Sequence, residues 1–311
     1  MNAETPNWKR HKERSNTATV RLIVWIALHL GRGLARALLV PIVAYFLVTA
    51  PRARRASRQF LRRAGAARQG LVGVFLNLYA FAACGLDRVF LLAGRQHETK
   101  VSVHDPDGML PYLHGGGLAL VLTAHLGSFE VLRVLGVERR GMRFRVVMAR
   151  AHSGMLTSVL ERLNPRVAAD VIDSGRGGPG LALAVAQALR DGCQVGLMAD
   201  RIDGLDPGLP VRFLGGNARL PSAPWKLGAV LGVPVVLCFG LYRGGNRYAL
   251  HFERFLDGTP VPRGQRAAFG QACAERYAGR LEHYARLAPY NWFNFYDFWA
   301  DDTNQNPSAG G

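Results

Sequence analysis

The sequence predicts an α/β fold in which helices flank a central, mostly parallel sheet, with an apolar helical membrane anchor at the N-terminus. Short apolar runs bounded by turn residues alternate with longer segments of helical periodicity. This alternation is typical of βα units, which build parallel sheets. The chain has 311 residues, of which 49% are hydrophobic, so it can bury the core of one large domain.

The individual elements follow from the same periodicity and from turn residues at their ends. Strands are expected at 100–104, 118–123, 144–149, 167–172, 194–199, 234–241 and 247–253. Helices are expected near 57–93, 129–136, 153–163, 180–191, 221–231 and 264–287. The predicted domains are a basic N-terminus with membrane-associated helices at 1–56, an α/β domain at 57–300 and a disordered polar tail at 301–311.

Residues 20–50 form the most apolar region, with a Gly-Arg-Gly break at 31–33. The uncharged stretch from Ala37 to Ala50 has 14 residues, fewer than the roughly 20 needed to cross a bilayer. Arginine and lysine residues flank the apolar region on both sides, and such flanks favour the cytoplasm. These features favour a monotopic hairpin or an amphipathic anchor over a single span, although a pair of core helices would also fit.

The formal net charge is +17, and only four of the 39 basic residues are lysines. A charge of this size favours anionic partners such as acidic lipid headgroups, phosphorylated carriers or an acidic protein. No nucleic-acid recognition motif or basic-aromatic repeat occurs, so we expect no nucleic-acid partner. The four cysteines are isolated and have no zinc-type spacing, so we expect no metal site.

The segment from His125 to Glu130 is the strongest candidate for chemistry. It follows the apolar run at 118–124, so His125 is expected at the carboxyl end of a strand, where open α/β sheets bind ligands. A histidine with a nearby carboxylate can take a proton from an alcohol or an amine. On spacing alone, a capping or surface histidine explains the segment as well.

The same segment, His125-Leu126-Gly127-Ser128-Phe129-Glu130, resembles the His-x4-Asp/Glu signature of glycerolipid-type acyltransferases. More specifically, it resembles the late acyltransferases of bacterial lipid A biosynthesis. Four further blocks resemble that family in order and spacing, so that the likeness extends over most of residues 20–299. They are Val146 to Arg150, Gly196 to Arg201, Val211 to Gly216 with Pro221 to Pro224, and Pro289 to Tyr296.

The resemblance implies an enzyme of the cytoplasmic face of the bacterial inner membrane that transfers a fatty acyl group to a hydroxyl of a lipid or glycolipid. The donor would be an acyl thioester on acyl carrier protein or coenzyme A, and no bound cofactor is implied. His125 would be the general base and Glu130 would orient its ring. Gly127 and Ser128 are further candidates for substrate binding, because backbone amides near them, at the start of a predicted helix, could hold the oxyanion.

Three further residues are candidates for substrate binding. Arg150 and Arg201 offer guanidinium groups that suit a phosphate or carboxylate, and Asp200 ends a strand where it could pair with one of them. The chain departs from the family at Arg201, where glutamine is usual, and at Ser128-Phe129, where asparagine and tryptophan are common. The acceptor could therefore differ from a lipid A precursor.

A second motif favours a different function. Gly175-Arg176-Gly177-Gly178-Pro179-Gly180 matches a dinucleotide fingerprint after a predicted strand and before a predicted helix, with Asp200 about twenty residues on. It leaves open a nucleotide-cofactor oxidoreductase, although Pro179 removes an amide from the turn. A non-catalytic membrane protein of a lipid pathway is a third possibility, less favoured because both His125 and Glu130 are present.

Overall fold

The structure is a computed structural model that describes residues 17–132, 142–148, 171–202 and 206–299. Its main sheet has seven strands in the spatial order β1-β9-β8-β2-β5-β3-β4. These are β1 (Lys100–His104), β2 (Leu120–Thr123), β3 (Arg143–Met148), β4 (Val171–Asp173), β5 (Cys193–Met198), β8 (Val235–Tyr242) and β9 (Arg247–Leu256). Every neighbouring pair is parallel except β8 with β9. The predicted α/β class with a mostly parallel sheet is confirmed.

A separate antiparallel hairpin, β6 (Leu209–Phe213) with β7 (Gly216–Leu220), was not expected from the sequence. Its two turn residues, Leu214 and Gly215, both have positive φ angles, of 48° and 75°. Such a turn normally carries asparagine or glycine at its first central position. Because leucine stands there in this chain, the sequence does not indicate the turn. The Leu214 amide donates to Glu282 at 2.7 Å, which stabilises the unusual turn from outside.

Eight α-helices with both limits among the described residues flank the sheet. They are α1 (Thr17–Leu30), α2 (Arg32–Thr49), α3 (Pro51–Arg63), α4 (Gly70–Leu92), α5 (Met109–His114), α6 (Gly177–Arg190), α7 (Ala223–Leu231) and α8 (Arg266–Leu287). The short α5 was not expected. The helix expected at 57–93 is two helices, because Gly65 (φ 69°) ends α3 and Gly70 (φ 64°) starts α4.

Some expected elements lie wholly or partly outside the described residues. Of the helix expected at 129–136, residues 129–132 are helical. The helix expected at 153–163 and the tail at 301–311 lie outside the described residues. Of the strand expected at 167–172, residues 171 and 172 are described and lie in β4. The expected domain limit at residue 56 falls inside α3.

Helices α2 and α4 are each long and apolar enough to cross a membrane, judged by length and composition. Helix α4 also belongs to the protein core, since residues such as Val74, Leu78 and Phe90 are buried. Helix α2 has three buried residues, and several of its large apolar residues are exposed, among them Val40 and Val48. These helices are weak evidence for membrane association.

A buried ion pair holds α2 against α4 and the sheet. The Asp87 carboxylate of α4 is fully buried and accepts two hydrogen bonds from Arg36 of α2, at 2.9 and 2.8 Å. It also accepts a hydrogen bond from the hydroxyl of Tyr248 in β9 at 2.7 Å, and Arg32 lies 3.8 Å away. Because these charged groups are removed from water, the loss of one partner would leave the other charge without compensation and would destabilise the fold.

We expect Asp87→Ala to lower the free energy of unfolding by about 3–5 kcal/mol, because it leaves the Arg36 guanidinium buried without a counter-charge. The matched control is Asp257→Ala, which breaks an exposed pair with Arg254 at 3.3 Å and should cost less than about 1 kcal/mol. Denaturant unfolding of both variants checks the difference. Equal losses would contradict the structural role of the Asp87 pair.

Candidate active site

The site lies where two adjacent strands end. Strands β2 and β5 are parallel neighbours, with Thr123 opposite Met198. His125 follows β2 by two residues and Asp200 follows β5 by two residues. Because parallel strands end at the same edge of a sheet, the register brings His125 and Asp200 together at the carboxyl edge, the usual ligand-binding edge of such sheets.

Asp200 makes two hydrogen bonds to His125. The ring Nδ1 lies 2.8 Å from Oδ1 of Asp200, and the backbone amide of His125 donates to Oδ2 at 3.0 Å. A carboxylate at Nδ1 selects the tautomer that carries its hydrogen on Nδ1. The lone pair is then on Nε2, which is the atom that a general base uses.

The Asp200 carboxylate is fully buried and compensated by several donors. Besides the two groups of His125, Trp292 Nε1 donates to it at 3.1 Å and Asn294 Nδ2 at 2.9 Å. Burial alone raises the pKa of this carboxyl, but His125 and the positive charge of Arg201 outweigh burial and bring the pKa of Asp200 down to about 2. The carboxylate is therefore ionised at neutral pH.

The imidazole of His125 favours its neutral form. Burial lowers its pKa, and the charge of Arg201 lowers it further, against the opposing effect of Asp200. The side chain nevertheless keeps 26% of its surface exposed. A neutral imidazole held by a buried carboxylate, with part of its surface open, can accept a proton at neutral pH.

The carboxylate at Nδ1 belongs to Asp200, whereas the sequence predicted that Glu130 orients this ring. The prediction is corrected in this respect, because strand adjacency places Asp200 beside the ring. Glu130 is buried and forms an ion pair with Arg88 of α4, whose Nε lies 3.0 Å from Oε2. A catalytic role for Glu130 stays a prediction.

The backbone amides of Gly127 and Ser128 already have carbonyl partners. The Gly127 amide donates to the carbonyl of Asn291 at 2.8 Å, and the Ser128 amide donates to the carbonyl of Gly240 at 2.8 Å. These two amides are therefore not free to hold an oxyanion in this arrangement, since a donor engaged in one bond is not aimed at a substrate, and substrate binding at Gly127 and Ser128 stays a prediction. Both amides instead fasten the His125 loop to its neighbours.

Arg201 places a positive charge beside His125. Its Nε donates to Asn294 Oδ1 at 2.6 Å and its Nη2 donates to the carbonyl of Phe293 at 2.8 Å. Its guanidinium lies 5.9 Å from the centre of the Tyr296 ring. Arg201 thus holds the C-terminal segment and adds positive charge beside His125, while anion binding by Arg201 stays a prediction. Arg150 lies outside the described residues.

The C-terminal segment supplies site residues to which the sequence assigned no role. Trp292 and Asn294 bind Asp200, and the Phe293 amide donates to the carbonyl of His125 at 2.7 Å. The only sequence signal for them was the resemblance of residues 289–296 to a closing family motif. Neither residue type by itself indicates a catalytic site.

The glycine-rich loop at 175–180 follows a strand and opens α6, as the dinucleotide motif requires. Three features argue against a cofactor there. Strand β4 lies at the edge of the sheet, the carboxylate of Asp173 accepts the Gly175 amide at 3.1 Å, and Asp200 is enclosed beside His125. A carboxylate at the loop would repel a pyrophosphate.

Comparison with known families and with curated proteins gave no match: no family model fits the chain, and no curated protein resembles it in sequence. The acyltransferase resemblance therefore stays a proposal.

Gly127→Ala should lower the free energy of unfolding by about 2–4 kcal/mol. Gly127 has a φ of 72°, and an added Cβ would lie 1.9 Å from the carbonyl oxygen of Gly240. The control is Gly279→Ala on the exposed surface of α8, where an added Cβ meets nothing within 4 Å. This substitution should raise the free energy of unfolding by about 0.5–1 kcal/mol. Thermal unfolding of the two variants should shift in opposite directions, and a harmless Gly127→Ala would contradict the close approach.

Arg201→Gln should raise the pKa of His125, because it removes a neighbouring positive charge that disfavours the imidazolium. In the unaltered protein, His125 should become protonated only below the ordinary histidine pKa of 6.5, so its neutral form is lost as pH falls through the lowered value. Histidine resonances followed by NMR across a pH titration measure both values. Arg254→Gln, at an exposed ion pair, is the control, and an unchanged His125 pKa in Arg201→Gln would refute the coupling.

Proposed function

We propose that the protein is a membrane-associated O-acyltransferase, similar to the late acyltransferases of bacterial lipid A biosynthesis. It transfers a fatty acyl group from an acyl thioester, on acyl carrier protein or coenzyme A, to a hydroxyl of a lipid or glycolipid. The observation that carries the proposal is the buried Asp200 carboxylate bonded to Nδ1 of His125 at 2.8 Å, at the carboxyl edge of a parallel sheet.

The proposed reaction uses direct attack by the acceptor. Nε2 of His125 takes the proton of the acceptor hydroxyl, while its oxygen attacks the thioester carbonyl carbon. The C–O ester bond forms, the C–S bond breaks, and the leaving thiolate takes the proton back from Nε2. Asp200 keeps the ring in the required tautomer and stabilises the transient imidazolium, as an aspartate does beside a catalytic histidine. No covalent enzyme intermediate is needed.

Aromatic side chains beside His125 support an apolar substrate. Phe293 follows the Trp292 that binds Asp200, and its amide donates to His125. Phe81 of α4 contacts both Phe293 and Phe295 edge to face, with ring centres 5.4 Å apart in each case. Phe81 is 49% exposed, whereas Phe293 is buried, so a cluster of aromatic rings extends from the solvent to the segment that contacts His125. A fatty acyl chain suits such a cluster.

The composition supports the proposed partners and place of action. The net charge of +17 favours acidic partners, which include acyl carrier protein and anionic membrane lipids. The apolar helices α1 and α2 border basic segments, an arrangement that suits docking at the cytoplasmic face of the inner membrane. A monotopic arrangement agrees with the buried pair between Arg36 and Asp87, since that pair keeps α2 on the domain surface.

His125→Ala should reduce acyl transfer at least about 10²-fold, the usual contribution of a general base. Asp200→Asn should also lose most activity, because it removes the charge that stabilises the imidazolium, and Glu130→Gln should lose less than His125→Ala. The assay uses acyl carrier protein thioester and extracted lipid acceptor. His97→Ala, at an exposed histidine, is the matched control.

Near-normal turnover by a folded His125→Ala protein would eliminate this mechanism. Unfolding temperatures of all four variants separate loss of chemistry from loss of structure. Comparison of the lipids of cells with and without the gene would identify the acceptor, and identical lipid profiles would count against acyl transfer to a membrane lipid.

A further inference from the structure

A groove of about 700 Å³ lies between α3, the start of α4 and the C-terminal segment. We name it the arginine groove. Its charged and aromatic lining consists of Arg52, Arg55, Arg58, Arg62, Tyr296 and Asp297. Four positive charges thus face one negative charge across a concave surface.

The sequence of α3 forces its arginines to one side. Residues 52, 55, 58 and 62 recur every three or four positions, so they share one face of the helix. The opposite face is buried, with Phe60 and Leu61 each 1% exposed. Since the buried face fixes the rotation of the helix, the four guanidinium groups must line the groove or its rim.

These arginines differ from several other arginines of the protein. Arg36, Arg88 and Arg280 each form an ion pair with a carboxylate. Within the part of the chain that the structure describes, the guanidinium groups of the four groove arginines form neither an ion pair nor a hydrogen bond. Four like charges on one helix face repel one another, and an anion in the groove would relieve that repulsion.

The groove adjoins the candidate active site. Tyr296 lines the groove, and the guanidinium of Arg201 lies over the Tyr296 ring on the side of Asp200. Helix α3 is fixed to the same segment, because Ser57 donates to Asn77 at 2.8 Å and Asn77 donates to the carbonyl of Trp292 at 3.1 Å. A molecule bound in the groove would therefore contact the same C-terminal segment that binds Asp200.

Exposed apolar residues stand close in sequence to the groove lining at both helix junctions. Helix α2 ends at Thr49, just before α3, and Val48 is 73% exposed. At the start of α4, after the lining residue Gly70, Leu71 and Val72 are 53% and 54% exposed. A cationic lining with exposed apolar residues close to it in sequence suits an amphiphile better than a free ion.

We propose that the arginine groove binds the phosphate headgroup of an anionic membrane lipid. A concave site of this volume matches a small headgroup, whereas an acidic protein would bind a broad, exposed surface. That this lipid is also the acyl acceptor rests on the proposed function; the binding itself does not, and it can be measured without turnover.

The test measures binding of the purified full-length protein to phosphatidylcholine vesicles with and without phosphatidic acid. The groove variant carries Arg52→Gln, Arg55→Gln and Arg62→Gln. A control of equal charge carries Lys100→Gln, Lys226→Gln and Arg263→Gln, at exposed positions outside the groove lining. We expect the groove variant to lose at least about tenfold in affinity for phosphatidic acid vesicles, a factor that corresponds to 1.4 kcal/mol, and the control to lose much less.

A second variant gives an effect of opposite sign. Asp297→Asn removes the one acidic side chain among the lining residues, so it should tighten binding to phosphatidic acid vesicles. This variant keeps the proposal testable if the triple groove variant fails to fold, which circular dichroism would reveal. Unchanged or weaker binding by Asp297→Asn would contradict the groove site.

Two further outcomes would overturn the proposal. Equal losses in the groove and control variants would mean that net charge alone attracts the vesicles. If the groove variant bound vesicles normally but lost binding to acyl carrier protein, the groove would belong to an acidic protein. The two proposals can fail separately. If the unaltered protein transferred no acyl group but still bound vesicles through the groove, the proposed function would be refuted and the lipid site would be supported.

Discussion

The buried carboxylate of Asp200 is the constraint on which the candidate site depends. An ionised group without water must be compensated by hydrogen bonds and opposite charge, and Asp200 receives donors from His125, Trp292 and Asn294. These donors come from the end of β2 and from the C-terminal segment, so one carboxylate joins three distant parts of the chain. The same interaction fixes the tautomer of His125, while burial and, after it, the charge of Arg201 lower the pKa of the imidazole.

Backbone hydrogen bonds fasten the loop that carries His125 to neighbouring segments. The Gly127 and Ser128 amides bond to Asn291 and Gly240, and the two glycines approach so closely that a Cβ on either would meet a backbone oxygen, at 1.9 Å for Gly127 and 2.3 Å for Gly240. This contact restricts the residues allowed in the loop for steric reasons. It also means that an oxyanion would need donors other than these two amides.

The arginines of the N-terminal helices serve two physical roles. Arg36 is compensated by the buried Asp87 and fastens α2 to the domain, so its charge is used inside the protein. The arginines on the outer face of α3 have no such partner among the described residues and remain available to an external anion. In the composition, both kinds of arginine count equally as positive charge. The position of each guanidinium group in the fold shows whether it pairs with a carboxylate inside the protein or faces the solvent.

The sequence by itself determined the α/β class, most strand positions, the apolar N-terminal helices and the location of His125 at a strand end. These features depend on local hydrophobic periodicity and on turn residues, which the chain carries within a few positions of each element. Tertiary structure alone decided that Asp200, and not the nearby Glu130, bonds Nδ1 of His125, because that contact follows from the pairing of β2 with β5 across some seventy residues. The β6–β7 hairpin and the engagement of the Gly127 and Ser128 amides were also decided by distant contacts, with Glu282, Asn291 and Gly240. Such contacts depend on strand order and chain packing, which no local pattern encodes.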